Sequence, residues 1–461
     1  MAQFTITTSL DDVPGTQSND VIRGGAGTLQ SFDRIDGSGG FDRLIADVEQ
    51  NGVQDPTISN VEHIFLDTGG QAFSIANISG ATRILTNGPS IILESIEQDD
   101  LTTEFGGREV ESGTVNLRFE DGALEGGSDV LRLVAINSNV TFTSDSVYDS
   151  PGGAMNQTED AKRVEGIALR LGPGDGDNQV DISAFTDIKV LKLRGDATSK
   201  VTLDAPELQR INAEDTTGGI TLTNDIAGDQ IVLGGSGNDD FKTGSGDDTI
   251  RGGEGDDVIT AGGGNNVVIG GRGDDEITSE QGDDKIVGGG GRDIISSGSG
   301  DDMISGGFGN DEITAGDGAD TIRGGRNDDM IMGQGGADTI YDGMGNDTAD
   351  GGSDNDTFFA GMGDDTFTGA GGVDTFNFTQ TDFGTDEVTD FTLTSDAATN
   401  DIVVFDAFEV ERTLQSQEDF QTFADENPSI VTVDGNTDTV TIDADEGTII
   451  LQVSDADFLL A

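Results

Sequence analysis

Fifteen aspartates and one asparagine stand at every ninth residue between 239 and 374: Asp239, Asp248, Asp257, Asn266, Asp275, Asp284, Asp293, Asp302, Asp311, Asp320, Asp329, Asp338, Asp347, Asp356, Asp365 and Asp374. Carboxylates repeated at so fixed an interval point to a shared ligand. Hard oxygen donors of this kind suit calcium, which accepts six to eight of them in flexible geometry. A buried row of uncompensated carboxylates would be prohibitively costly, so the cation belongs to the fold itself. All sixteen residues are therefore expected metal ligands, Asn266 being a neutral oxygen that weakens its site. No residue is assigned a catalytic or organic-cofactor role.

The elements that position these side chains follow from the same spacing. From Gly234 to Asn377 the chain divides into sixteen nonapeptides with no remainder, such as GGEGDDVIT (Gly252 to Thr260) and GGFGNDEIT (Gly306 to Thr314). The eighth position is apolar throughout, from Phe241 through a run rich in isoleucine to Ala349, Phe358, Phe367 and Phe376. Three residues around it make a minimal strand with an inward side chain, and the six before it reverse the chain. Glycines at the first, second and fourth positions permit the positive φ angles of such a turn. Glu280, Gln334 and Ala370 replace the second glycine; Asn327 and Asp354 replace the fourth, where Asn and Asp tolerate the left-handed region best. A glycine-rich acidic linker is the competing reading, but a linker has no reason to keep an apolar residue at every ninth position. The closing phenylalanines read as a cap on the end of the apolar row.

This pattern resembles the calcium-binding nonapeptide repeat of RTX proteins. The resemblance implies an all-β fold, a calcium-bound parallel β-roll in which two nonapeptides make one coil. Eight coils at strand spacing would span about 35–40 Å. It also implies ions between unit n and unit n+2, at most about fourteen Ca2+ in the roll, which would bring the formal charge of −66 to about −38.

Three regions are expected: 1–233, β-rich and solenoid-like; 234–377, the roll; and 378–461, a small β cap. In the first, the spacing U-x-x-U-x-U recurs at Val61/Ile64/Leu66, Val164/Ile167/Leu169, Ile188/Leu191/Leu193 and Leu208/Ile211/Ala213. VEHIFL (Val61 to Leu66) echoes VEGIAL (Val164 to Leu169), and GGFDRLIADV from Gly39 echoes GGSDVLRLVA from Gly126, so an internal duplication is the economical explanation. Strands about 20 residues apart suit a β-solenoid, and a β-sandwich stays open as the alternative. SNDVIRGGAG (Ser18 to Gly27) and FDRIDGSGGFDRLI (Phe32 to Ile45) read as degenerate calcium turns. Such strings followed by "NVE-apolar" strands resemble RTX proteins of bacterial surface layers. The tail, ending Asp455-Ala-Asp-Phe-Leu-Leu-Ala461, is similar to the carboxy-terminal signal of type I secretion substrates.

Composition narrows the function. With 89 acidic and 23 basic residues, the chain would be repelled by nucleic acid and by anionic membrane. No run approaches the ~18 apolar residues of a membrane span. Met1 to Gly15 has neither the basic cluster nor the apolar run of a signal peptide. No cysteine is present to form a disulfide or a nucleophile. His63 is the single histidine, which excludes an HExxH zinc site, and no G-x-S-x-G elbow occurs. Arg-Gly-Asp occurs at Arg194 and Arg272, and chance accounts for both. The expectation is a non-enzymatic, secreted calcium-binding structural protein at the bacterial cell surface, a surface-layer or matrix subunit. Its expected partners are copies of itself, the type I secretion machinery and cell-surface polysaccharide. The rivals are a soluble adhesin or carbohydrate-binding module, and a polysaccharide-modifying enzyme.

Overall fold

The computed structural model describes residues 198–223 and 226–378 without a break, and, between 2 and 196 and between 384 and 453, the strands, one helix and some of the turns that join them. The chain forms two compact units, Met1–Phe241 and Lys242–Ala461. The division therefore falls inside the first nonapeptide, and residues after 377 belong with the roll.

In the second unit each nonapeptide supplies one short strand, and strands alternate between two parallel sheets. One contains Lys285–Gly290, Met303–Phe308, Thr321–Arg326 and Thr339–Met344; the other contains Ile294–Ser299, Glu312–Asp317, Met330–Gly335 and Thr348–Ser353. Ile286 faces Ile304 and Ile313 faces Ile331, a constant offset of eighteen residues, so two nonapeptides do make one coil. With a side-chain period of two, the second residue of each strand, the eighth of its nonapeptide, turns inward. The eighth position of every unit is accordingly buried, from Ile250 to Phe376.

The apolar row ends in aromatics. Phe358 stacks on Phe376 at 4.9 Å, Phe376 lies 6.2 Å from Phe391, and Phe391 meets Phe420 edge-on at 5.8 Å. Phe420 and Phe423 project from the helix Gln417–Glu426 and are buried. Ser416 starts that helix: its hydroxyl accepts the Asp419 N–H at 3.1 Å and donates to Asp419 Oδ2 at 2.6 Å, a reciprocal cap. The small β cap expected for 378–461 therefore also contains a helix. The segment joins the roll because its strands extend the roll's own sheets. Thr375–Phe378 pairs with Ile402–Ala407, and Gly384–Phe391 pairs with both Thr366–Gly371 and Gly447–Val453. Residues 454–461, which hold the expected export signal, lie outside the described residues.

The first unit is also a parallel β-solenoid, with coils of about twenty residues at both ends (Leu44 to Ile64, Leu191 to Ile211) and longer ones between, up to the span from Leu133 to Leu169. One sheet runs through Arg43–Asp47, His63–Asp67, Arg83–Asn87 and onward to Val190–Gly195 and Arg210–Thr216. Every described pairing inside this unit is parallel, whereas a β-sandwich would pair its hairpin neighbours antiparallel. Val61, Ile64 and Leu66 are buried together, as are Ile188, Leu191 and Leu193. Both copies of the duplication hold the same relation. Leu44 of the first GG-strand faces Ile64, and Leu131 of the second faces Ile167. Residues 126–129 and Val164 lie outside the described residues. Among the described residues no helix is long and apolar enough to cross a membrane.

Candidate metal centre

The sixth-position residues of the second unit form two columns, one along each row of turns. In each column a main-chain N–H donates to the carboxylate one coil further on. Asp293 donates to Asp311 Oδ1 at 2.8 Å, Asp311 to Asp329 at 2.8 Å, Asp329 to Asp347 at 2.7 Å and Asp347 to Asp365 at 2.8 Å. The other column runs Asp302 to Asp320 (2.7 Å), Asp338 (2.8 Å), Asp356 (2.8 Å) and Asp374 (2.9 Å). Asp257, Asp275 and Asp284 take the same places lower down. Asp248 donates to Asn266 Oδ1 at 3.0 Å. In the first unit Asp239 accepts from Ile220 and Gly235.

The ladder engages one oxygen of each carboxylate. Among the described residues, the other oxygen of Asp275, Asp293, Asp311, Asp320, Asp329, Asp338, Asp356 and Asp386 is buried without a hydrogen-bond partner. A buried charged oxygen left so is far too costly to repeat coil after coil. The space beside it is narrow and flanked by oxygen. A methyl group built on Gly306 would collide with Asp311 Oδ2 and come within 2.7 Å of the Gly324 carbonyl. Carboxylate and carbonyl oxygens, with no nitrogen or sulfur donor, fit calcium and not zinc. The aspartates present would hold the ion between units two apart.

Electrostatics agree. Burial, opposed by the ladder N–H and reinforced by neighbouring aspartates, pushes Asp293, Asp320, Asp347, Asp356 and Asp374 up to about 7, against an ordinary 3.8. Asp329 and Asp386 rise to about 8 for the same reasons. A row that resists ionisation at neutral pH is one that needs a cation to ionise.

Asn266 departs from its expected role. Its Oδ1 is engaged by Asp248, and its Nδ2 donates to Gly262 O at 3.2 Å, Gly264 O at 3.0 Å and Ser279 Oγ at 3.2 Å. Ser279 in turn donates to Asp284 Oδ2 at 2.6 Å. An amide nitrogen with its hydrogens occupies this rung, and a cation would be repelled by it. The neutral oxygen expected there is turned into the ladder.

Four other departures keep the turn geometry. Asn327, Gln334, Asp354 and Ala370 hold φ of 73°, 76°, 77° and 58°, so the flanking coils impose the left-handed form even without glycine. That costs on the order of 1–2 kcal/mol each.

The ladder also extends past the nonapeptides. Asp365 donates to Asp386 Oδ1 at 2.9 Å and Asp374 to Asp401 Oδ1 at 3.0 Å. Both acceptors precede an inward valine by two residues, Val388 and Val403, and that triplet was the legible signal. At the amino-terminal turns Asp20 donates to Asp42 Oδ1 at 2.6 Å, and Phe41 donates to Asn19 Oδ1 at 3.0 Å, the same arrangement in miniature. His63 packs edge-on against Phe41 at 4.5 Å in its strand. Of the Arg-Gly-Asp tripeptides, that at Arg272 is committed to the roll: Arg272 pairs with Glu254 at 3.2 Å and Asp274 Oδ1 accepts the Arg292 N–H.

Comparison with known proteins gives one family. The model of the RTX calcium-binding nonapeptide repeat (4 copies) matches residues 11–28 and, in overlapping stretches, 233–376. No curated protein matches the chain. Among solved structures, a hyperactive, Ca2+-dependent, beta-helical antifreeze protein from an Antarctic bacterium is similar at 12% identity over 82% of this chain and 84% of that one, with a TM-score of 0.17.

Proposed function

The chain carries RTX calcium-binding nonapeptide repeats, and on that premise we propose that it is a secreted, non-enzymatic structural protein, a surface-layer or extracellular-matrix subunit that folds and then assembles on calcium. The observation that carries this reading is the pair of columns of buried aspartates, in which one oxygen of Asp275, Asp293, Asp311, Asp320, Asp329, Asp338 and Asp356 has no hydrogen-bond partner. Such a chain stays unfolded at the low free calcium inside a cell and folds at the millimolar calcium outside, which suits type I export.

A second row of acids supports assembly. The fifth position of many units is an exposed aspartate, and these too form a ladder: Asp274 Oδ1 accepts from Arg292 at 2.8 Å, and Asp283 Oδ1 from Asp301 at 3.0 Å. These aspartates are exposed at strand spacing, where further calcium ions can bridge subunits. Copies of the same chain are the partner, with cell-surface polysaccharide as the anchor.

One feature favours a carbohydrate-binding role instead. Tyr341 stacks on Phe359 at 4.6 Å, with Arg323 4.9 Å from the Tyr341 ring, an aromatic strip of the kind that packs on sugar faces. Circular dichroism, light scattering and electron microscopy across a calcium series separate the readings. Folding followed, at higher calcium, by concentration-dependent arrays supports the assembly protein. A monomer at every calcium and protein concentration, with glycan binding, supports the second.

A further inference from the structure

A side chain at the first position of a nonapeptide generally points at the aspartate of its own unit, although the Ser297 hydroxyl donates to the Ala315 carbonyl at 2.7 Å. Methyl groups built on Gly252, Gly270, Gly288 and Gly306 all collide with the Oδ2 of the aspartate five residues on. Ser279 shows the direction with a real side chain, its hydroxyl donating to Asp284 Oδ2 at 2.6 Å. The residue at this position therefore decides what enters the cation cavity. Glycine leaves it open, alanine adds a methyl, serine adds a hydroxyl. In the unit 342–350 the residue is an aspartate.

Asp342 is fully buried, as are Asp347 of its own unit and Asp365 of the unit two further on. One carboxylate oxygen from each lies within 4.8 Å of the other two. The ladder engages Oδ1 of Asp347 and of Asp365, through the N–H groups of Asp329 and Asp347. Asp342 Oδ1 accepts the adjacent Gly343 N–H. Oδ2 of all three is buried without a donor from the surrounding protein, and the Asp342 and Asp365 carboxylates lie close enough to share a proton. Three buried carboxylates this close cannot all remain ionised without a cation among them.

We propose that Asp342, Asp347 and Asp365 form a three-carboxylate cation site that binds calcium more tightly than the neighbouring rungs and accepts a trivalent lanthanide in its place. The inference rests on the calcium-roll reading and adds to it a rung of higher charge. Raising the count of charged ligands is the ordinary means of tightening a calcium site, and a third carboxylate balances a 3+ ion.

The chain holds a reporter beside this site. Tyr341, one of only two tyrosines, directly precedes Asp342. Terbium titrated into the folded, calcium-loaded full chain should give tyrosine-sensitised emission at sub-stoichiometric terbium. Asp342→Asn, and independently Asp342→Gly, which restores the residue most units carry, should each require about tenfold more terbium. Tyr341→Phe should abolish the emission while leaving bound calcium unchanged, which locates the signal. Emission curves of D342N and D342G that coincide with that of the unaltered protein would overturn the proposal. Should the unaltered protein bind neither calcium nor terbium at any concentration, the calcium roll itself is refuted, whatever Asp342 does.

Discussion

Asn266 Nδ2 lies 3.2 Å from Ser279 Oγ, and the serine hydroxyl passes the contact on to Asp284 Oδ2 at 2.6 Å. Between these coils a chain of hydrogen bonds stands where neighbouring coils offer oxygen to a cation. Replacing Asn266 with Asp removes the amide hydrogens and supplies a second charged oxygen. N266D should bind one more calcium ion per chain, measured by atomic emission on the dialysed protein, and fold at lower calcium. Unchanged stoichiometry would mean that Ser279 alone keeps the rung closed.

In the middle of the columns each aspartate serves the coil before it and the coil after it. D302A with D311A removes the acceptors of the Asp284 and Asp293 N–H groups along with two carboxylates. Each buried donor left unsatisfied costs about 1–3 kcal/mol. The calcium midpoint of folding, followed by circular dichroism, should rise and its steepness fall. A curve superimposable on that of the unaltered protein would contradict the stacked-ligand arrangement.

Acid should partly replace calcium. Asp293, Asp320, Asp347, Asp356 and Asp374 hold protons up to about 7 in the fold and to only 3.8 when ordinarily solvated. Between those values the folded chain binds more protons than the unfolded one, so calcium-free stability falls as pH rises through that window. In chelator, the β signal should be weak at about pH 8 and grow on lowering the pH to about 5. An equal signal at both would remove burial of the carboxylates as the reason calcium is needed.

The aromatic cap should matter out of proportion to its distance from the acids. Phe376 is fully buried between Phe358 and Phe391. Truncating such a residue to alanine costs roughly 3–5 kcal/mol. F376A should unfold at markedly lower temperature in saturating calcium, by calorimetry, with its bound calcium little changed at low temperature. Loss of most of the calcium would assign the phenylalanine row a part in the sites themselves.

The roll was legible because one period of nine carries both the turn and the strand, and the offset of eighteen follows once units alternate between sheets. The ladder was not, since it depends on where main-chain N–H groups fall relative to the next coil. Asp386 and Asp401 break the spacing that made their predecessors visible. Asp342 escaped because the first position varies freely among Gly, Ala, Ser and Thr, and only the backbone geometry shows that it faces the cavity. The helix at Gln417 had its signal in Ser416-Gln-Glu-Asp419, a reciprocal cap inside a segment otherwise rich in strand formers.

The constant offset of eighteen residues has an evolutionary side. Removing one coil, from Gly288 through Ser305 for example, would bring Ile286 beside Ile322 and leave every downstream side chain on its original sheet. Removing a single nonapeptide would instead carry each later strand to the opposite sheet, moving the Tyr341–Phe359 pair to the other face and exchanging the two aspartate columns. Length can therefore drift by whole coils with little disturbance, as in other stacked repeats, while a slip of half a coil rewrites both faces at once. The quantum of inheritance in this chain is the pair of nonapeptides.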